Sequence, residues 1–332
     1  MALTQSAAHP AAARPDVGSP NLYVANDGAS TVTVYGKGGI TPLRTITQGI
    51  NGPLALAFAA NHNLFVANSS GNTVTVYAPG STSPLRTITN AVSGPSALAF
   101  DGSGNLYVGN ANTNTVTVYA RGSSKLLLTI SNDIQSPSAL AVDASSGNLY
   151  VANLDTNLQY PGSTVTVYNS HTGQLLRTLD ESGYPPDWYI TLILDGSGNL
   201  YVADKARPFY PQDDDVVVYA AGSNQFLRSY PDVHRPDGLA FDASGNLYIL
   251  NWGGPYTTGK VTVFPSGSTK ELRTIYSGIY RPQAIAVNRL GNVYVANTGN
   301  PNTVTVYAHD STKLVRTISQ GISNPRALAF GP

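Results

Sequence analysis

Short runs in which apolar and polar residues alternate recur along the chain in groups of four. One group reads Ala55-Leu-Ala-Phe58, Asn63-Leu-Phe-Val-Ala67, Thr73-Val-Thr-Val-Tyr77 and Leu85-Arg-Thr-Ile88. The runs are rich in β-branched and aromatic residues and are bounded by Gly, Pro, Asn and Ser, which is the strand pattern. The second run of each group returns at 21–26, 63–68, 105–110, 148–153, 199–204, 246–251 and 292–297, with spacings of 42 to 51 residues. A period of that length with four strands per unit predicts the blades of a β-propeller. We letter the strands A to D from the axis outward. The repeat begins with a strand B at Asn21 and ends with a lone strand A, Arg326-Ala-Leu-Ala-Phe330. Pairing the two would complete the first blade and close the ring by hydrogen bonds. The prediction is therefore an all-β, seven-bladed propeller of four-stranded antiparallel blades. It forms one domain over 21–332, preceded by a flexible Ala/Pro-rich leader at 1–20.

Side-chain choice agrees with the strand order. Strand A carries small Ala where inner strands crowd the axis, and inner strands with both faces covered can be apolar throughout. The A–B turns read Asp101-Gly-Ser-Gly-Asn105, Asp195-Gly-Ser-Gly-Asn199 and Asp242-Ala-Ser-Gly-Asn246. Gly supplies a positive φ there and Asp caps the turn. The distal bidentate Glu of a calcium loop is missing. Arg44, Arg86, Arg177, Arg228, Arg273 and Arg316 share one place in strand D. They are expected to form a solvated outer edge that deters sheet-to-sheet aggregation.

Composition narrows the function classes. Charged residues are 11% of the chain, the apolar fraction is 42%, and net charge is zero, so the basic excess of a nucleic-acid binder is absent. There is no cysteine, hence no disulfide framework and no thiolate site. No apolar run approaches the ~20 residues of a membrane helix. The leader lacks the apolar core of a signal peptide, and the expectation is a monomeric secreted or periplasmic protein.

The repeated Pro-x-Ala-Leu-Ala-Phe-Asp, Gly-Asn-Leu-Tyr-Val-Ala-Asn and Val-Thr-Val-Tyr segments over 21–330 resemble those of NHL-repeat propellers. They also resemble the related gluconolactonase-like and virginiamycin-lyase-like propellers. The resemblance implies the fold more than the activity, since such propellers host lactonases, lyases, sensors and adhesion modules. Pro236-Asp237-Gly238 matches the segment that carries a metal-binding Asp in the gluconolactonase-like family. The Glu and Asn of that family's site have no match, because the chain's two glutamates, Glu181 and Glu271, lie off the inner strands.

Function is expected where the repeat is broken. A four-stranded meander sends its D–A and B–C connections to one face, here called the top. The B–C loops are short in repeats two and three but lengthen at 153–163, 204–215 and 251–260, and the D–A loop at 180–190 also departs from the repeat. Loops on a rigid scaffold carry function. These contain Tyr160, Trp188, Tyr189, Phe209, Tyr210, Trp252 and Tyr256, including both tryptophans. Flat aromatic faces beside polar groups suit a sugar ring or an extended peptide, and long loops also use aromatics to pack on themselves. Between Asp180 and Asp237 lie ten of the 19 acidic residues. Asp204, Asp213 and Asp215 are candidate oxygen ligands for a divalent cation such as calcium.

The residue after the Pro that opens strand A is expected to face the central channel. This places Leu54, Ser96, Ser138, Asp237, Gln283 and Arg326 around the ring, with Asp187 or a neighbour serving blade five. His234, Arg235, Tyr280 and Arg281 flank them. Two functions are expected from different classes. One is a non-enzymatic scaffold binding a glycan or peptide on the top of blades four to six. The other is a lyase or hydrolase, metal-assisted or not, using His234 with Asp237, Asp187 and Arg326. A structural repeat scaffold in an extracellular assembly is the third.

Overall fold

The computed structural model describes residues 20–154, 163–179, 189–205, 214–230, 233–253 and 258–332. Its strands form seven four-stranded antiparallel sheets, each a blade. Blade one is built from Pro325–Gly331 (A), Asn21–Asn26 (B), Thr31–Tyr35 (C) and Pro42–Ile46 (D). Pairings of Leu22 with Phe330 and Val24 with Leu328 close the ring, as the sequence predicts. The other inner strands, in order, are Pro53–Phe58, Pro95–Phe100, Pro137–Asp143, Tyr189–Leu194, Pro236–Phe241 and Pro282–Val287.

The core lies between blades. Tyr23, Val32, Val34 and Ile46 of blade one pack on Leu56, Leu64, Val66 and Tyr77 of blade two, and the same pattern is repeated around the ring. The described inner strands are buried on both faces over most of their length, which is why they read apolar at consecutive positions.

The Asn that ends strand B acts as a clamp. In blade two Asn68 is fully buried; its Nδ2 donates to Thr75 Oγ1 at 3.0 Å and to Gly49 O at 3.1 Å. Its Oδ1 accepts from the Asn51 backbone N–H at 3.1 Å. One amide thus ties strand B to strand C and to the D–A loop that leads into the blade. Asn26, Asn110, Asn153, Asn251 and Asn297 likewise accept from Ser323, Ser93, Gln135, His234 and Tyr280. A buried amide is tolerated because its donors and acceptors are used. The strand C tyrosine adds a second tie. Tyr35, Tyr77 and Tyr168 donate to Gln320 O, Gln48 O and Asn132 O at 2.5–2.6 Å.

The strand D arginines differ from expectation. They are half-buried and face the aromatic residue two strands inward. Arg44 lies in one cross-strand row with Val34 and Tyr23, sits 5.6 Å from the Tyr23 ring centre and donates to its hydroxyl at 2.7 Å. The residue that faces solvent is the apolar neighbour: Leu43, Leu85, Leu127, Leu176, Leu227, Leu272 and Val315 are all exposed. Strand alternation puts adjacent side chains on opposite faces, and the arginine takes the blade-facing position.

Candidate functional site

The top of the central channel is shaped by a repeated backbone irregularity. In blade two Pro53 pairs with Asn68 and Ala55 with Ala67, so Leu54 is an extra residue in strand A. The same bulge isolates Ser96, Ser138, Asp237, Gln283 and Arg326. A bulge re-aims a side chain, and the contacts these residues make run from blade to blade. Ser96 donates to Pro137 O of the next blade, and Arg326 Nη1 donates to Gln283 Oε1 at 3.0 Å. Blade five is different. Its inner strand pairs Tyr189 with Lys205, Ile190 with Asp204 and Thr191 with Ala203, without a register shift. Asp187 lies outside the described residues, and no bulge residue is present in blade five over Tyr189–Leu194.

The six axial groups are unequal. Leu54, Ser96 and Ser138 are apolar or small, and the two serines are spent on backbone carbonyls. On the other side stand Asp237 and Gln283, both buried, and Arg326. Arg326 also lies 3.5 Å from Asp27 Oδ2, and Asp27 accepts from Asn324 Nδ2 at 2.9 Å. Asp27 was not foreseen; it is the acidic residue of an otherwise short, neutral B–C loop. A polar arc therefore runs from blade six through blade seven to blade one.

Above that arc two arginines sit just before the strand A proline with left-handed backbones, Arg235 at φ 53° and Arg281 at φ 47°. Blades two and three use Gly52 and Gly94 there, and blades four and one use Ser136 and Asn324, also left-handed, so the conformation belongs to the repeat and the arginines differ in side chain. Arg235 lies 4.6 Å from the Trp252 ring centre, and its carbonyl accepts the Trp252 backbone N–H at 3.0 Å. Arg281 lies 5.7 Å from the exposed Tyr280 ring, and its carbonyl accepts the Thr298 N–H at 3.0 Å. A Cβ on Gly299 would fall 2.3 Å from Tyr280 Cδ1, so glycine leaves the ring its place. Each cation–aromatic pair is thus mounted on fixed backbone.

His234 is exposed, and its backbone N–H donates to Asn251 Oδ1 at 2.9 Å, the clamp bond found in other blades. Asp204 and Asp215 stand directly opposite each other across strands B and C of blade five. Asp214 Oδ2 accepts the Arg235 N–H at 2.8 Å, the place filled by Ser30 and Asn72 in earlier blades. Among the described residues no group of three His, Asp or Glu could hold a metal ion. Tyr160, Trp188, Phe209, Tyr210, Asp213 and Tyr256 lie outside the described residues, and Tyr189 opens strand A of blade five.

No protein-family model matches the chain, and no match was found among curated proteins. Among solved structures the chain is similar to hydrazine synthase of Kuenenia stuttgartiensis, with a TM-score of 0.73 and 15% identity over 90% of this chain and 98% of that one. Matches to 1418 chains in all show how widely the architecture is used. At that identity the likeness establishes a seven-bladed propeller and leaves the activity to the site.

Proposed function

We propose that the protein is a recognition scaffold, NHL-like in its repeat, that binds a glycan or a peptide on its top face. The observation that carries this reading is the pair of left-handed arginines beside aromatic rings, Arg235 with Trp252 and Arg281 with Tyr280. They stand over the polar arc of Asp237, Gln283 and Arg326. Aromatic faces flanked by arginine are what recognition surfaces use for anchoring.

The test is a glycan and peptide array on the intact chain, followed by binding isotherms. Arg235→Ala and Trp252→Ala should each weaken the ligand found by about tenfold or more while moving the melting temperature little. An array with no hits, or a ligand indifferent to both substitutions, would sink the reading. Turnover lost in His234→Ala would replace it with the lyase or hydrolase.

A further inference from the structure

On the opposite face, between blades two and three, one copy of the repeat has lost two polar groups at the same spot. In four blades the strand D arginine donates to a strand B tyrosine: Arg44 to Tyr23, Arg228 to Tyr201, Arg273 to Tyr248 and Arg316 to Tyr294, at 2.7–3.1 Å. In blade six the A–B turn adds a carboxylate, Asp242 Oδ2, 3.2 Å from the Tyr248 hydroxyl. Blade two keeps the arginine, Arg86, in the same cross-strand row. The tyrosine is replaced by Phe65, and Ala59 stands at the turn position of Asp101, Asp195 and Asp242. Phenol oxygen and carboxylate are both gone.

The guanidinium that remains is poorly served. It lies 5.6 Å from the Phe65 ring centre; its Nε is buried without a hydrogen-bond partner, as are those of Arg44, Arg273 and Arg316, but those three donate through Nη2 to a tyrosine oxygen that blade two lacks. Burial pushes its pKa down from the usual arginine value, though arginine stays charged at neutral pH. Beside it is a partly open cavity of about 30 Å³, lined by Ala59, Phe65, Arg86, Phe100, Leu106 and Arg121 among others. The lining holds two arginines and no Asp or Glu. Blade four also leaves Arg177 and Tyr150 unjoined, but it keeps the tyrosine.

A single water needs roughly 10–15 Å³ on the same measure, so the cavity admits about two oxygens, the footprint of a carboxylate. Aromatic and aliphatic walls favour a carboxylate on an apolar stem over a fully hydrated phosphate. We propose that this cavity binds a carboxylate group, one oxygen of which accepts from Arg86 where the tyrosine oxygen accepts in other blades. Arg121 supplies the second positive charge at the mouth. The site is independent of the top face.

The experiment follows the Arg86 Nε–Hε resonance of the full chain while sodium propionate is added against sodium chloride at matched ionic strength. A second arm adds a capped Gly-Glu-Gly peptide, and a third adds inorganic phosphate. The expected result is a saturable shift with propionate, half-complete on the order of 1–10 mM, and little response to phosphate. A tighter peptide response assigns the carboxylate to a protein partner, and a propionate response alone assigns it to a free small acid. Phe65→Tyr, which supplies the oxygen found in the other blades, should weaken propionate about tenfold or more and melt no lower than the parent. No saturable shift with either carboxylate would overturn the proposal, as would a response that Phe65→Tyr leaves unchanged. A crystal soaked in propionate that shows ordered water alone at Arg86 would overturn it as well.

Discussion

Blade three and blade five are copies of one repeat with different top edges. In blade three Asn110 donates to Thr117 Oγ1 at 3.0 Å and Val108 O at 3.2 Å, and accepts from Ser93 N–H at 3.0 Å. In blade five the positions of Asn110, Thr115 and Thr117 hold Asp204, Asp215 and Val217. A carboxylate cannot donate, a valine cannot accept, and two like charges now face each other across the strand pair, which disfavours the pairing. The strand A bulge is missing as well. The connection between strands B and C grows from the short 110–114 to 204–215 at the same place. The comparison shows what the consensus polar residues are for. They tie strand B to strand C and to the loop that enters the blade, and blade five carries acidic groups at two of these positions.

The widest test is alkaline pH. Burial pushes Tyr35, Tyr77, Tyr168 and Tyr307 up to about 12, with hydrogen bonding to neighbouring threonines only partly opposing it. A folded-state pKa above the unfolded value of about 10 means stability that is complete below pH 10 and lost as pH rises through about 12. The tyrosine ties should therefore fail together. Phenolate absorbance and far-ultraviolet circular dichroism are expected to change in one transition in that window. Phenolate appearing smoothly near pH 10 with the strands intact would show that the tyrosines are not anchors. Next in size is the transplant Asn110→Asp, which puts the blade five residue into the blade three clamp. It should cost roughly 3 kcal/mol in urea unfolding at neutral pH. A desolvated carboxylate titrates above its ordinary value, so the loss should shrink as pH falls through that raised pKa. Smallest is the reverse graft, Asp204→Asn with Val217→Thr, which should gain about 1 kcal/mol. A loss there would mean that the two carboxylates are themselves structural.

Much of this was legible in the chain. The alternating runs, the seven-fold period and the stray final strand carry the blade count and the closure, because strands and turns are specified locally. The repeat also aligns the positions after each proline, and these are where strand A bulges in six blades. Orientation was harder to read. Whether Arg44 meets water or Tyr23 depends on which face of strand D is covered, and the apolar Leu43 beside it points the wrong way for a simple burial rule. The blade five register was hidden because no proline opens its strand A. The unpartnered arginine of blade two becomes visible only when Phe65 and Ala59 are seen to flank one cavity.

Closure by the last strand also sets an order in time. A chain made from its N-terminus can finish blades two, three and four while blade one still lacks its inner strand. Until residues 325–331 emerge, strand B of blade one exposes a free edge, and Phe58 lacks the Gly331 backbone against which it packs. Such an edge is a template for another chain. The nascent propeller is therefore open to association until that strand arrives, even when the other six blades have their four strands.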